Sequence, residues 1–266
     1  MSHARLKNID LYYESRGEGE PLTLIPGFAS GAWTWFRQVE DLAKNFRVIT
    51  FDPRGVARSP ISDGKSINLK TIADDVKSLL DELEIEKAHI LGASFGSFGA
   101  QEFALGAPEK LDKLVLVCTS FGGRNHVAPD LEVLTAFASV DGLNSAERIR
   151  KFMIPAFTPK FTAANRETIE KVCELRLQNG VPENVYLAQL KTATTFDAER
   201  RVSQIKAETL ILTGAADSVV PPLNSRNLAK AIPNAKLEFG AGGGHMFFIE
   251  RASEFNRIVA DFLRKF

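Results

Sequence analysis

The sequence predicts an α/β fold: a mostly parallel sheet flanked by helices and carrying one helical insertion. Three observations predict it. Short apolar runs alternate with helical patterns along most of the chain, the alternation breaks once past the middle, and it resumes for two more strands and a closing helix. With 266 residues, the chain has room for a sizeable core within one compact unit. Lys and Arg total 33 and Asp and Glu total 33, so no electrostatic footprint for nucleic acid or anionic lipid is present, and a small neutral molecule is the expected partner. The first twenty residues contain no continuous apolar stretch, and no later run is long and apolar enough to span a bilayer, so a cytoplasmic location without membrane attachment is expected. The two cysteines, Cys118 and Cys173, fit neither a disulfide framework nor a zinc pattern and read as buried thiols.

Taken in order, the apolar runs are LTLI at 22–25, VITF at 48–51, HIL at 89–91, LVLVC at 114–118, TLILT at 209–213 and KLEF at 236–239. Residues 9–14 predict a further strand, and the turn-rich RGEGEP that joins it to LTLI suits an antiparallel hairpin, which makes one sheet edge mixed. Leu69, Ile72, Val76, Leu79, Leu80 and Leu83 follow helical spacing behind Asn68, a suitable N-cap. Phe255, Ile258, Val259, Phe262 and Phe266 repeat that pattern behind Ser253. Between them, residues 121–196 hold helical patterns such as NRETIEKVCELRLQ and PENVYLAQLKTA and no strong strand. The predicted organisation is therefore a core of residues 1–120 and 197–266, with residues 121–196 forming a cap over the carboxyl ends of the strands, where open α/β sheets bind ligands.

The chemistry centres on Ser94. It stands in Gly92-Ala93-Ser94-Phe95-Gly96, straight after a predicted strand and opening a helix, the context in which G-x-S-x-G aims a serine Oγ into a cleft from a strained turn between small residues. A serine nucleophile needs a base. Among the four histidines, His245 alone lies in a glycine-rich loop after the last strand, whereas His3 is terminal, His89 opens a strand and His126 is in the insertion. The base needs a carboxylate to orient it, and Asp217 follows TLILTG in the preceding loop. Asp197 and Glu199, the nearest alternatives, precede that strand. Two backbone amides are the expected oxyanion donors: that of Phe95 at the positive end of its helix, and that of Phe28 in the loop PGFASGAWTW, where Gly27 lets the chain approach.

With these motifs the chain resembles, over essentially its whole length, the α/β-hydrolase superfamily, in the group with a helical cap between the sixth and seventh strands. The resemblance rests on LTLIPGF, VITFDPRGVARS, GASFG, LTGAADSVVPP and GGGHMFFIERASEF. Two departures stand out: Pro26-Gly27 replaces a common His-Gly, and Ala57 stands where many members have glycine. Asp52 and Arg54 read as a structural ion pair in that loop. The resemblance implies catalysis by Ser94, His245 and Asp217 with no cofactor and no metal. A serine at position 94 excludes the dehalogenase and epoxide hydrolase chemistries that need aspartate there. The expected activity is hydrolysis of a carboxylic ester or lactone through an acyl-enzyme. The alternatives are a cofactor-free carbon–carbon hydrolase of ring-cleavage products, or a ligand-binding or signalling protein that retains the triad. Nineteen phenylalanines against three tyrosines favour an apolar acyl or aromatic group, with Phe28, Phe121, Phe137 and Phe157 the candidate pocket residues. Any of Arg124, Arg148 and Arg176 in the insertion could meet a carboxylate, but the three read first as solvated surface residues.

Overall fold

The predicted strands form where the apolar runs place them in the computed structural model, which describes residues 2–61, 67–138 and 142–264. The strands are β1 Ser2–Leu6, β2 Ile9–Arg16, β3 Glu20–Ile25, β4 Phe46–Phe51, β5 Ala88–Ala93, β6 Leu111–Val117, β7 Thr209–Gly214 and β8 Ala235–Gly240. They make one sheet in the order β1-β2-β4-β3-β5-β6-β7-β8. β1 and β2 run antiparallel at one edge, and every pairing from β4 onward is parallel. The helices before the insertion are α1 Val39–Leu42, α2 Leu69–Glu82 and α3 Phe95–Gly106. Between β6 and β7 come α4 Leu131–Ala138, α5 Ser145–Met153, α6 Pro159–Ala164, α7 Arg166–Gln178 and α8 Glu183–Thr195. α9 Pro222–Ala231 follows β7, and α10 Phe247–Glu250 and α11 Ala252–Leu263 follow β8. No helix among the described residues is long and apolar enough to cross a membrane.

Alternation along the strands sorts the core into two layers, because neighbouring side chains leave opposite faces of a sheet. Ile25, Ile49, Ile90, Leu114 and Leu116 pack with Ile72, Val76 and Phe103 of α2 and α3. Leu24, Val48, Leu91, Val115 and Val117 pack instead with Phe255, Val259 and Phe262 of α11. The buried strands therefore read as continuous apolar runs. α2 starts where expected: the Asn68 Oδ1 accepts from the Thr71 amide at 2.9 Å and the Asn68 amide donates to the Thr71 Oγ1 at 3.1 Å.

Three expectations are corrected. The hairpin partner of β2 is β1, joined through Lys7 and Asn8, and β2 also pairs with β4 rather than β3. The RGEGE link crosses over the start of β4, where a side chain at Gly17 would run into the Ala43 and Phe46 carbonyls, so it joins non-neighbouring strands. α11 begins one residue before Ser253, with Arg251 at the cap position and no side-chain cap bond. Phe266 lies outside the described residues. Asp52 and Arg54 do not pair with each other. Arg54 binds Asp75 of α2 through two hydrogen bonds of 2.6 and 2.7 Å, whereas Asp52 takes the Arg58 guanidinium at 2.7 Å and the Ala32 amide at 2.8 Å. Asp52 thus fastens the loop after β3 to the loop after β4.

At the opposite end of the sheet His89 is 1% exposed, 3.4 Å from a Glu20 carboxylate oxygen and 3.2 Å from one of Asp112. Burial outweighs the two carboxylates and holds the imidazole below its ordinary value of 6.5. The unfolded chain therefore takes up this proton first as pH falls, so the neutral ring contributes stability that is present above 6.5 and lost as pH falls through the lower folded value. The unfolding free energy of the wild type is expected to fall more steeply between about pH 7 and pH 5 than that of His89→Gln. Parallel slopes in denaturant titrations across this range count against His89 as the source.

Candidate active site

Ser94 sits between β5 and α3 with φ 53° and ψ −119°, the strained turn expected for it. The glycines on either side make the turn possible. A Cβ at Gly92 would lie 2.5 Å from the Gly96 carbonyl, and one at Gly96 would strike the Ile25 and Pro26 carbonyls. A residue that sequence reasoning missed locks the turn: the Ser97 hydroxyl donates to the Gly92 carbonyl at 2.5 Å and accepts from the Val117 amide at 3.1 Å. Its only signal was a second serine one turn into the helix.

The loops after β7 and β8 bring the other two groups to Ser94. His245 Nε2 is 3.0 Å from Ser94 Oγ, and His245 Nδ1 is 2.9 Å from Asp217 Oδ2. Asp217, 3% exposed, spends its second oxygen on the Val219 and Val220 amides at 2.9 and 2.8 Å, which turns Oδ2 towards the imidazole. The loops close on each other because a side chain at Gly214 would collide with the Gly243 and Gly244 carbonyls. Glu250 fixes the histidine loop to the insertion, taking the Gly244 amide at 3.1 Å and the Thr158 amide at 2.5 Å. Asp197 and Glu199 stand apart, bonded near Gly123 and Asn125. Cys118, at the end of β6, is buried beside Asp217 and His245, and burial pushes its thiol up, with the Asp217 charge adding to this. Cys173 is buried as well.

The loop after β3 approaches the serine: a Cβ at Gly27 would lie 3.6 Å from the Ser94 Cβ. Phe28 and Phe95 meet edge to face at 6.1 Å, and Phe28 also contacts Phe152 and Tyr186 of the insertion. Phe157 is buried in the layer that holds α11 and stacks on Phe161, while Phe121 is buried in the layer that holds α2. The Phe137 side chain lies outside the described residues. Non-glycine residues with positive φ gather at this end of the sheet: Ala29 at 48° after β3, Ala57 at 42° after β4, Ser94 after β5 and Cys118 at 49° after β6.

Arg124 and Arg148 are exposed, as expected. Arg176 is not. It is 9% exposed, lies with its guanidinium 4.7 Å from the Phe152 ring, and reaches the Phe28 carbonyl and Ser30 Oγ at 3.4 Å each. Burial pushes it down to about 10, so it remains a cation at neutral pH. Among the described residues no carboxylate contacts it. Helical spacing could not separate it from the solvated arginines, because whether that face of α7 is covered depends on where the loop after β3 lies.

The chain belongs to the α/β-hydrolase fold family, whose family model matches residues 20–252. It is 31% identical to 2-hydroxy-6-oxo-6-phenylhexa-2,4-dienoate hydrolase of Comamonas testosteroni, over 100% of this chain and 95% of that one. It is 28% identical to RutD of Azorhizobium caulinodans, provisionally named a carbamate hydrolase, over 98% of each chain. A solved esterase of Thermogutta terrifontis superposes with a TM-score of 0.83 at 26% identity, covering 99% of this chain and 98% of that one. The chain is accordingly a hydrolase. The three are named for different substrates, a dienoate, a carbamate and an ester, so kinship alone does not choose among them.

Proposed function

We propose that this hydrolase cleaves a carboxylic ester or lactone of a small, largely apolar substrate through an acyl-enzyme on Ser94. The observation that carries the reading is the series Ser94 Oγ, His245 Nε2, His245 Nδ1 and Asp217 Oδ2, with links of 3.0 and 2.9 Å. In this reading neutral His245 accepts the serine proton as Oγ attacks the carbonyl carbon, and Asp217 stabilises the imidazolium. The Phe95 and Phe28 amides receive the oxyanion. His245 then protonates the departing alkoxide, and water repeats the sequence to release the acid. The residues between β6 and β7 act as the cap, and Phe28, Phe152 and Tyr186 supply an apolar wall.

Arg176 adds to the substrate class. A buried cation without a carboxylate partner is costly unless a ligand supplies one, so in this reading the substrate carries an anionic group, where net charge alone suggested a neutral molecule. The same observation favours a second reading, the carbon–carbon hydrolase, since the substrate named for the Comamonas relative is a dienoate. There the leaving carbon departs only if conjugation takes up its electron pair.

Purified protein assayed on activated esters and lactones with and without a carboxylate, and on a 2-hydroxy-6-oxo-dienoate, tests both. Turnover of esters with a burst equal to the enzyme concentration supports the first reading; turnover confined to the dienoate replaces it with the second. With Arg176→Met, the preference for a carboxylate-bearing ester over its neutral counterpart is expected to fall by roughly 10- to 100-fold, as for one lost charged hydrogen bond. An unchanged preference removes Arg176 from substrate binding.

A further inference from the structure

The peptide between Phe28 and Ala29 is held from the cap side. Its amide, on Ala29, donates to the Gln189 Oε1 of α8 at 2.8 Å, and its carbonyl, on Phe28, accepts from Arg176 of α7 at 3.4 Å and from Ser30 Oγ at 3.2 Å. Gln189 is 1% exposed, and Ala29 is 3% exposed with φ 48°. That φ costs a residue with a Cβ on the order of 1–2 kcal/mol, and rotating this peptide about its flanking Cα bonds would relieve it by returning Ala29 to an extended conformation. A buried acceptor aimed at the Ala29 amide opposes that rotation.

We infer that Gln189 is a positioning residue for the oxyanion loop. By fixing the Phe28–Ala29 peptide it fixes the conformation of Phe28, whose own amide is the donor beside Ser94. The donor is then complete only while α8 is seated on the loop, so a side chain that touches no reacting atom ties the closed cap to transition-state stabilisation. The inference rests on the reading of Phe28 as an oxyanion donor.

The test uses the full chain on one activated neutral ester, with Gln189→Leu, which keeps the bulk and removes the acceptor, and Gln189→Glu, which keeps an oxygen there. Gln189→Leu is expected to lose about 10- to 100-fold in kcat with KM changed less than threefold, somewhat below the loss of a whole oxyanion donor. Gln189→Glu is expected to recover to within about fivefold of wild type. Gln189→Met gives the same comparison if the leucine variant does not fold. Wild-type kcat in a folded leucine or methionine variant overturns the inference, as does a glutamate variant no better than leucine at equal unfolding temperature. Ser94→Ala run alongside separates the two readings: if it retains turnover, the site assignment fails; if it is inactive while Gln189→Leu is normal, only the positioning role fails.

Discussion

Ser94→Ala is expected to lower kcat by on the order of 10⁴ or more, because nucleophile and base act as one unit and neither works without the other. The fold is expected to survive. Alanine tolerates φ 53° no worse than serine does, and the bonds that lock the turn belong to Ser97. Steady-state turnover of an activated ester, with circular dichroism and an unfolding temperature on the same preparation, checks both halves. Near wild-type turnover by the alanine variant would place the nucleophile elsewhere.

Asp217→Asn is expected to cost roughly 10²–10⁴ in kcat with little change in KM. The local geometry says why. The Val219 and Val220 amides demand an oxygen at the Oδ1 position, so the asparagine turns its NH₂ towards His245. An amide donor there requires Nδ1 to accept, which puts the ring proton on Nε2, facing Ser94 Oγ. The histidine is then held in the tautomer that cannot take the serine proton. Asp197→Asn, whose carboxylate bonds only within its own loop, is expected to behave as wild type. Kinetics of the two variants side by side decide the matter: normal turnover in the first with collapse in the second would transfer the role to Asp197.

The residues of the site were legible because their chemistry is local. The G-x-S-x-G turn, the glycine-rich loop around His245 and the loop around Asp217 each follow a strand, and parallel strands deliver such loops to the same end of the sheet. What escaped was long-range. β1 has only Ala4 deeply buried among its five residues and shows no apolar run, so the hairpin was assigned to the wrong link. Asp52 and Arg54 stand two apart in sequence, yet the chain leaves the strand at Asp52 and turns at Arg54, so the two side chains find different partners, Arg58 for the one and Asp75 for the other. The burial of Arg176 and the bond from Ala29 to Gln189 join segments more than a hundred residues apart, and no periodicity carries that information.

The distribution of positive φ values has a bearing on thermostability. Ala29, Ala57, Ser94 and Cys118 follow four consecutive strands of the chain, and each costs roughly 1–2 kcal/mol against a relaxed backbone. That is a large share of the ~5–15 kcal/mol by which a typical domain is stable. The end of the sheet that carries the candidate site is thus where most of this backbone strain gathers. A programme of heat-stabilising substitutions has its free choices at the other end, around β1 and the β5–β6 entry. Within the strained end, Ala57 lies in the loop after β4 at φ 42°, where glycine would relax the backbone.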